Sequence, residues 1–258
     1  MASGHELDAG AGPTAGASNL PSDHQVAKNL RDIRAKIDAA AVSAGRAPDD
    51  VTLIAVSKTF GMDRVRAAAS AGQIDFGENR VQEALGKCAE ASNLHLRWHL
   101  VGHLQTNKAR KVVEPFTWIH SVDSVELLQR LEHAAAERAC RPSLLIQVDL
   151  AGETTKHGAT VSTLPTIFDA AATCRAVRVR GLMLLPPFDE DPERVRPHFQ
   201  RLRDVRDGLR HDGVDPAMLE HLSMGMSHDF EVAVQEGATL VRVGSAIFGH
   251  RPAPVPSV

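Results

Sequence analysis

Apolar residues in this chain gather in short unbroken runs, separated by stretches whose apolar positions recur every three or four residues. The first run spans 51–56 and ends abruptly in Ser57, Lys58 and Thr59. A run of Val, Ile and Leu without alternation suits a strand covered on both faces, as in a parallel sheet. Further runs lie near Ile74 and at 94–101, 117–120, 144–150, 177–185, 219–222 and 239–243, eight in all. Helical spacing fills the gaps, with Leu127, Leu128 and Leu131 in one and Val195, Phe199, Leu202, Val205 and Leu209 in another. Ahead of the first run, a Ser-x-x-Gln start at Ser22 resembles a capping box. It leads into Val26, Leu30, Ile33, Ile37 and Ala41, which predicts an extra amphipathic helix.

Eight repeats of strand and helix predict an α/β fold, a single closed (β/α)8 barrel. A doubly wound open sheet is the weaker alternative, because no Gly-x-Gly-x-x-Gly follows the first strand and no Walker-type phosphate loop is present. The expected organisation is a disordered tail over 1–20, a barrel over 21–250 and a proline-rich tail over 251–258. The first tail is too poor in bulky apolar side chains to offset its ordering entropy.

Composition narrows the classes of partner. The 258 residues are 43% hydrophobic, enough for a sizeable core, and 29 Lys plus Arg against 32 Asp plus Glu leave a net charge of -3. That balance offers no general attraction to nucleic acid or to an anionic membrane. Cys88, Cys140 and Cys174 form no Cys-x-x-Cys and suit unpaired thiols in a reducing compartment. With neither a signal-peptide core nor a run of membrane-spanning length, the expected location is the cytoplasm.

The chemistry starts from Lys58. In a parallel barrel the strands end at the face where ligands bind, so a lysine there can enter a site, although a solvated strand-end lysine is the commoner arrangement. Two further stretches tip the balance. Ser223-Met224-Gly225-Met226-Ser227 follows the seventh run, and Arg242-Val243-Gly244-Ser245-Ala246 follows the eighth. Small residues there let backbone N–H groups approach an anion, and barrels of this kind often hold phosphate after their last two strands. Closure puts the first and last strands side by side, so one ligand can meet both the lysine and the cradle. A reactive amine with a separate phosphate anchor suits pyridoxal 5′-phosphate, and it suits a phosphosugar handled by an aldolase-like enzyme nearly as well.

The strings AVSKTF, FGENRVQEA, WHLVGHLQTNK, HSVDS, GETTKHG, GLMLLPP and LSMGMSHDFEVAVQEGATLVRVGSAIFG resemble the YggS/PROSC family of pyridoxal-phosphate-binding proteins over about 51–249. The resemblance implies a barrel like the N-terminal domain of alanine racemase, with pyridoxal phosphate held on Lys58 as a Schiff base. It implies a role in intracellular vitamin B6 homeostasis without established catalytic turnover. Met226, Ser227, Gly244 and Ser245 match the family's phosphate contacts. Arg242 matches the arginine that faces the pyridine nitrogen, and Asn79 lines the pocket. Many relatives carry tyrosine after Gly-Glu-Asn, where this chain has Arg80.

An amino-acid racemase or another Schiff-base enzyme on the same barrel is the competing reading. Racemases of the resembling fold use a tyrosine as the base opposite the lysine, and this chain has 0 tyrosines. Expected partners are therefore pyridoxal phosphate and apo-enzymes that use it, with the chain acting as a monomer. His99 and His103 have the spacing of helical zinc ligands, but Gly102 and the preceding apolar run argue against a helix. Met224 and Met226 pack in a loop, and no metal is assigned. Lys156 and His157 read as a solvated loop, and Glu78 and Glu83 as helix-start and surface charges.

Overall fold

The computed structural model describes residues 21–150 and 157–249. The two expected tails and Lys156 lie outside them. Eight parallel strands, β1 (Thr52–Val56), β2 (Asp75–Glu78), β3 (Arg97–Leu100), β4 (Trp118–Val122), β5 (Ser143–Val148), β6 (Arg178–Leu184), β7 (His221–Ser223) and β8 (Leu240–Val243), pair in sequence order. β1 also pairs β8, from Thr52 opposite Leu240 to Ala55 opposite Val243, and this closes the barrel. Around it lie α1 (Asp23–Ser43), α2 (Met62–Ser70), α3 (Val81–Glu90), α4 (Ala109–Val112), α5 (Val125–Arg138), α6 (Leu164–Thr173), α7 (Pro192–His211), α8 (Phe230–Gln235) and α9 (Ser245–Phe248). None of the described helices is long and apolar enough to cross a membrane.

α1 starts where the Ser22 pattern places it. The Ser22 side chain accepts from the Gln25 backbone N–H at 3.2 Å, while the Gln25 side chain turns to Asn29, so half of the capping box forms. Its stripe of Val26, Leu30, Ile33, Ile37 and Ala41 is buried, packed over α2, α8 and α9. Each fully buried aliphatic side chain of that kind contributes about 1.5–3 kcal/mol, which holds the extra helix against the seam where first and last strands meet.

Strand periodicity divides the core in two. Leu53 and Ala55 point out to the helices, into the large apolar layer that also takes Phe76, Leu100, Leu144 and Val241. Ile54 points inward and meets Leu145, Met183 and Leu240. That inner apolar cluster is small because polar side chains fill much of the remaining interior. β2 shows the difference most clearly. The apolar pattern centred it near Ile74, yet Ile74 is exposed and the strand is Asp75-Phe76-Gly77-Glu78, buried throughout. Pairing with β1 and β3 sets its place more strongly than its own hydrophobicity.

Candidate functional site

Lys58 sits in a tight turn just beyond β1. The Phe60 N–H returns to the Ser57 carbonyl at 3.1 Å, and Thr59 adopts a left-handed backbone (φ 68), a conformation that costs a β-branched residue energy. What holds the turn is a buried charge cluster. Glu78, fully buried on β2, accepts from the Ser57 hydroxyl at 2.6 Å and from Lys87 Nζ at 2.7 Å. The same ammonium donates to the Ser57 carbonyl at 2.8 Å and to Glu83 at 2.8 Å, and Glu83 accepts the Thr59 N–H at 2.5 Å. Reading Glu78 as a helix-start or surface charge is therefore corrected, since it is fully buried on β2, whereas Glu83 does lie in the first turn of α3; both clamp the segment that presents Lys58. Burial pushes the Glu78 carboxyl up, only partly opposed by the bonds from Lys87 and Ser57. At Glu83, the bonds from Lys87 and Thr59 outweigh burial and hold the carboxyl down.

Lys58, Asn79, Met226, Ser227, Arg242, Gly244 and Ser245 all line one cavity of about 590 Å³ at the carboxyl ends of the strands. Asn79 is fixed from behind, because Gly102 packs so closely that an added Cβ would lie 2.1 Å from the Asn79 carbonyl oxygen. On the opposite side, Gly225 bends the loop after β7 with φ 92, and an added Cβ would strike Ala233 at 2.6 Å. Ser227 Oγ then accepts from the Gly244 N–H at 3.1 Å and from the Ala246 N–H at 3.4 Å. These N–H groups open a helix of only four residues, so converging donors, rather than a helix dipole, favour negative charge. The Met226 N–H is engaged differently, donating to Asp229 Oδ1 at 2.6 Å, and burial pushes that carboxyl up.

Arg242 belongs to a chain of buried hydrogen bonds crossing the barrel interior. It donates to the Leu184 carbonyl at 2.8 Å and to Ser223 Oγ at 2.5 Å. Ser223 Oγ lies 2.9 Å from His120 Nδ1, His120 Nε2 lies 3.0 Å from His99 Nδ1, and His99 Nε2 lies 2.9 Å from Asp75 Oδ1. With both histidines in their neutral form, the two ends set the direction of each bond. Arginine only donates and an ionised carboxylate only accepts, so Ser223 donates to His120, His120 to His99 and His99 to Asp75. Burial depresses His99 and depresses His120 further, with repulsion from His99 and Arg242 added, which favours the neutral form of both. Burial raises the Asp75 carboxyl, but bonds from His99 and from Arg97, at 2.6 and 2.8 Å, bring it below its usual value. Burial lowers the Arg242 guanidinium to about 10, still a cation at neutral pH.

The wider residue set sorts cleanly. His99 and His103 part company: His99 faces the barrel interior, while His103 stands exposed at the mouth. The alternation Arg97-Trp98-His99-Leu100 carries that signal, since Trp98 and Leu100 join the outer apolar layer and His99 must point the other way. Met224 is buried in the core. Cys88, Cys140 and Cys174 are free thiols. Burial pushes Cys88 up to about 12 and Cys174 to about 11, so neither is a ready nucleophile.

Comparison with known proteins fits this geometry. The family described as "Alanine racemase, N-terminal domain" matches residues 26–252. A pyridoxal phosphate homeostasis protein of Pseudomonas aeruginosa is 43% identical over 228 residues, covering 88% of this chain and 96% of the relative. The chain belongs to the pyridoxal phosphate homeostasis protein family. An Aquifex aeolicus member of that family is 40% identical over 224 residues, covering 87% of this chain and 97% of its own. The structure of PipY from Synechococcus elongatus, solved with PLP bound, superposes with a TM-score of 0.78 at 40% identity, covering 87% of this chain and 100% of that one. In this member of the pyridoxal phosphate homeostasis family, the Glu78–Lys87–Glu83 clamp and the His99–His120 chain are the parts that sequence reasoning missed.

Proposed function

We propose that this chain binds pyridoxal 5′-phosphate at the barrel mouth and serves intracellular vitamin B6 homeostasis as a binding protein, without catalytic turnover of its own. The observation that carries this reading is the convergence of Lys58, Arg242 and the Ser227–Gly244 donors on one cavity. The donor set fits the cofactor in three ways. Lys58 offers an amine to an aldehyde. The N–H groups of Gly244 and Ala246, now gathered on Ser227 Oγ, are placed to serve a phosphate oxygen. Arg242, a donor only, suits an unprotonated ring nitrogen. When bound, the cofactor supplies an electrophilic carbon and an electron-withdrawing ring.

The residues of the chain do the rest. The clamp around Ser57 and Thr59 orients Lys58, and the interior chain from Asp75 to Ser223 fixes Arg242. A donor-only arginine leaves the ring nitrogen without the acidic partner that makes the cofactor a strong electron sink. Racemisation also needs a second positioned base, and no tyrosine exists in the sequence to supply it. Delivery of cofactor to apo-enzymes and a monomeric state belong to the same proposal.

The test is absorbance of the purified protein with added cofactor, followed by borohydride reduction and peptide mapping. Lys58→Ala should abolish the visible band with the fold intact by circular dichroism. A reduced adduct on Lys108 or Lys156 would overturn the assignment.

A further inference from the structure

On the rim of the same mouth, three side chains from different loops meet. His103 follows β3, Asp123 follows β4 at once, and His157 lies beyond β5, so the parallel barrel carries all three to one face. The His103 and His157 rings stack at 3.5 Å between centroids, only 9° from parallel. His103 Nδ1 lies 4.0 Å from Asp123 Oδ2, and one ligand atom from each of the three residues lies within 4.8 Å of the others. Their backbones are well held. Gly102 packs against Asn79 just before His103, the His157 carbonyl accepts from Gln147 Nε2 at 2.5 Å, and Ala159 bridges Val148 in parallel.

From this geometry we infer that His103, Asp123 and His157 form a binding site for a divalent transition-metal ion of the zinc class. Two imidazoles and a carboxylate suit zinc, cobalt or nickel and are a poor match for the oxygen-seeking magnesium and calcium ions. In a tetrahedral site, ligand atoms about 2.0–2.1 Å from the metal stand about 3.3 Å apart, so the three groups close by up to about 1.5 Å and the stacked rings turn out of parallel to bring both in-plane lone pairs onto one ion. Three protein ligands leave a fourth position open toward the mouth. His99 takes no part, since both its ring nitrogens are committed inside the barrel. The sequence expectation of no metal weighs only the pairs His99–His103 and Met224–Met226, whereas the fold gives His103 different partners. His103 also lines the cavity that contains Lys58, so the metal site borders the proposed cofactor site, but the inference does not rest on that assignment.

The experiment titrates Co²⁺ into tag-free protein stripped of metal and cofactor, read by visible ligand-field absorption, with Zn²⁺ competition to follow. The expected result is one saturable equivalent with tetrahedral or five-coordinate bands. His103→Ala and His157→Ala should each weaken it at least about tenfold, and Asp123→Asn should weaken it measurably. His95→Ala, at an exposed histidine elsewhere, should leave it unchanged. His103 and His157 are exposed and Asp123 is half-buried, and circular dichroism checks that each variant folds. No saturable absorption in the unaltered protein, or unchanged affinity in either His103→Ala or His157→Ala, overturns the site.

Discussion

Replacing Lys87 with methionine tests whether the clamp behind Lys58 is a structural necessity. Methionine keeps the length and apolar stem of lysine and removes only the ammonium. Three contacts vanish: to Glu78 at 2.7 Å, to Glu83 at 2.8 Å and to the Ser57 carbonyl at 2.8 Å. Glu83 is partly solvated and retains the Thr59 N–H. Glu78 is not so placed, because its side chain is fully buried and would keep a single partner, the Ser57 hydroxyl. Stranding a buried charge in this way costs about 3–5 kcal/mol, against about 0.2–1 kcal/mol for an exposed pair such as Lys28–Asp32. The sign of the pH dependence follows. Burial already raises the folded-state carboxyl of Glu78, and losing Lys87 raises it further, so the folded variant binds a proton that the unfolded chain releases near the ordinary carboxylate value. Stability is therefore retained below that value and lost as pH rises through the folded-state one. Urea unfolding of Lys87→Met and Lys28→Met at pH 5 and pH 8 measures both effects. The Lys87→Met deficit should be larger at pH 8, and cofactor affinity should fall with it as the Lys58 turn loosens. A deficit under about 1 kcal/mol at pH 8, comparable to that of Lys28→Met, would refute the reasoning.

Further outcomes follow from other parts of the site. Ser227→Ala should weaken cofactor binding modestly, whereas Gly244→Leu should weaken it far more, since even a Cβ at Gly244 would lie 3.1 Å from the Val56 carbonyl; fluorescence titration compares them, with phosphate-free pyridoxal as the control. Glu132→Gln should destabilise the protein by about 1 kcal/mol, because the carboxylate accepts the N–H groups of Arg175, Ala176 and Val177 ahead of β6. Burial raises that carboxyl, but the three bonds depress it below its ordinary value, so its contribution is present above the unfolded-state value and lost as pH falls through the folded one, which acid titration of both proteins reads. Holo-protein incubated with L-alanine in deuterium oxide should form no D-enantiomer at enzyme-like turnover, because loss of a positioned base typically costs about 10²–10⁴-fold; chiral chromatography decides this.

The architecture was legible in the sequence because its signals are local. Each apolar run had to be covered on both faces, each intervening segment carried a helical stripe, and Ser22 marked the start of α1. Lys58 and the glycine-bearing loops after the last two strands were legible for the same reason: strand order in a closed barrel brings the first and last strands together whatever the side chains. Tertiary structure alone decided the status of the polar residues. Glu78 and Lys87 are nine residues apart and unremarkable as text, and they become a buried pair only because β2 is inserted between β1 and β3. His120 meets Ser223 from 103 positions away, and His103 meets His157 across three loops. A hydrophobic pattern reports which face of an element avoids water, but which charges end up opposite one another is set by barrel closure and register, and neither is encoded in any one segment.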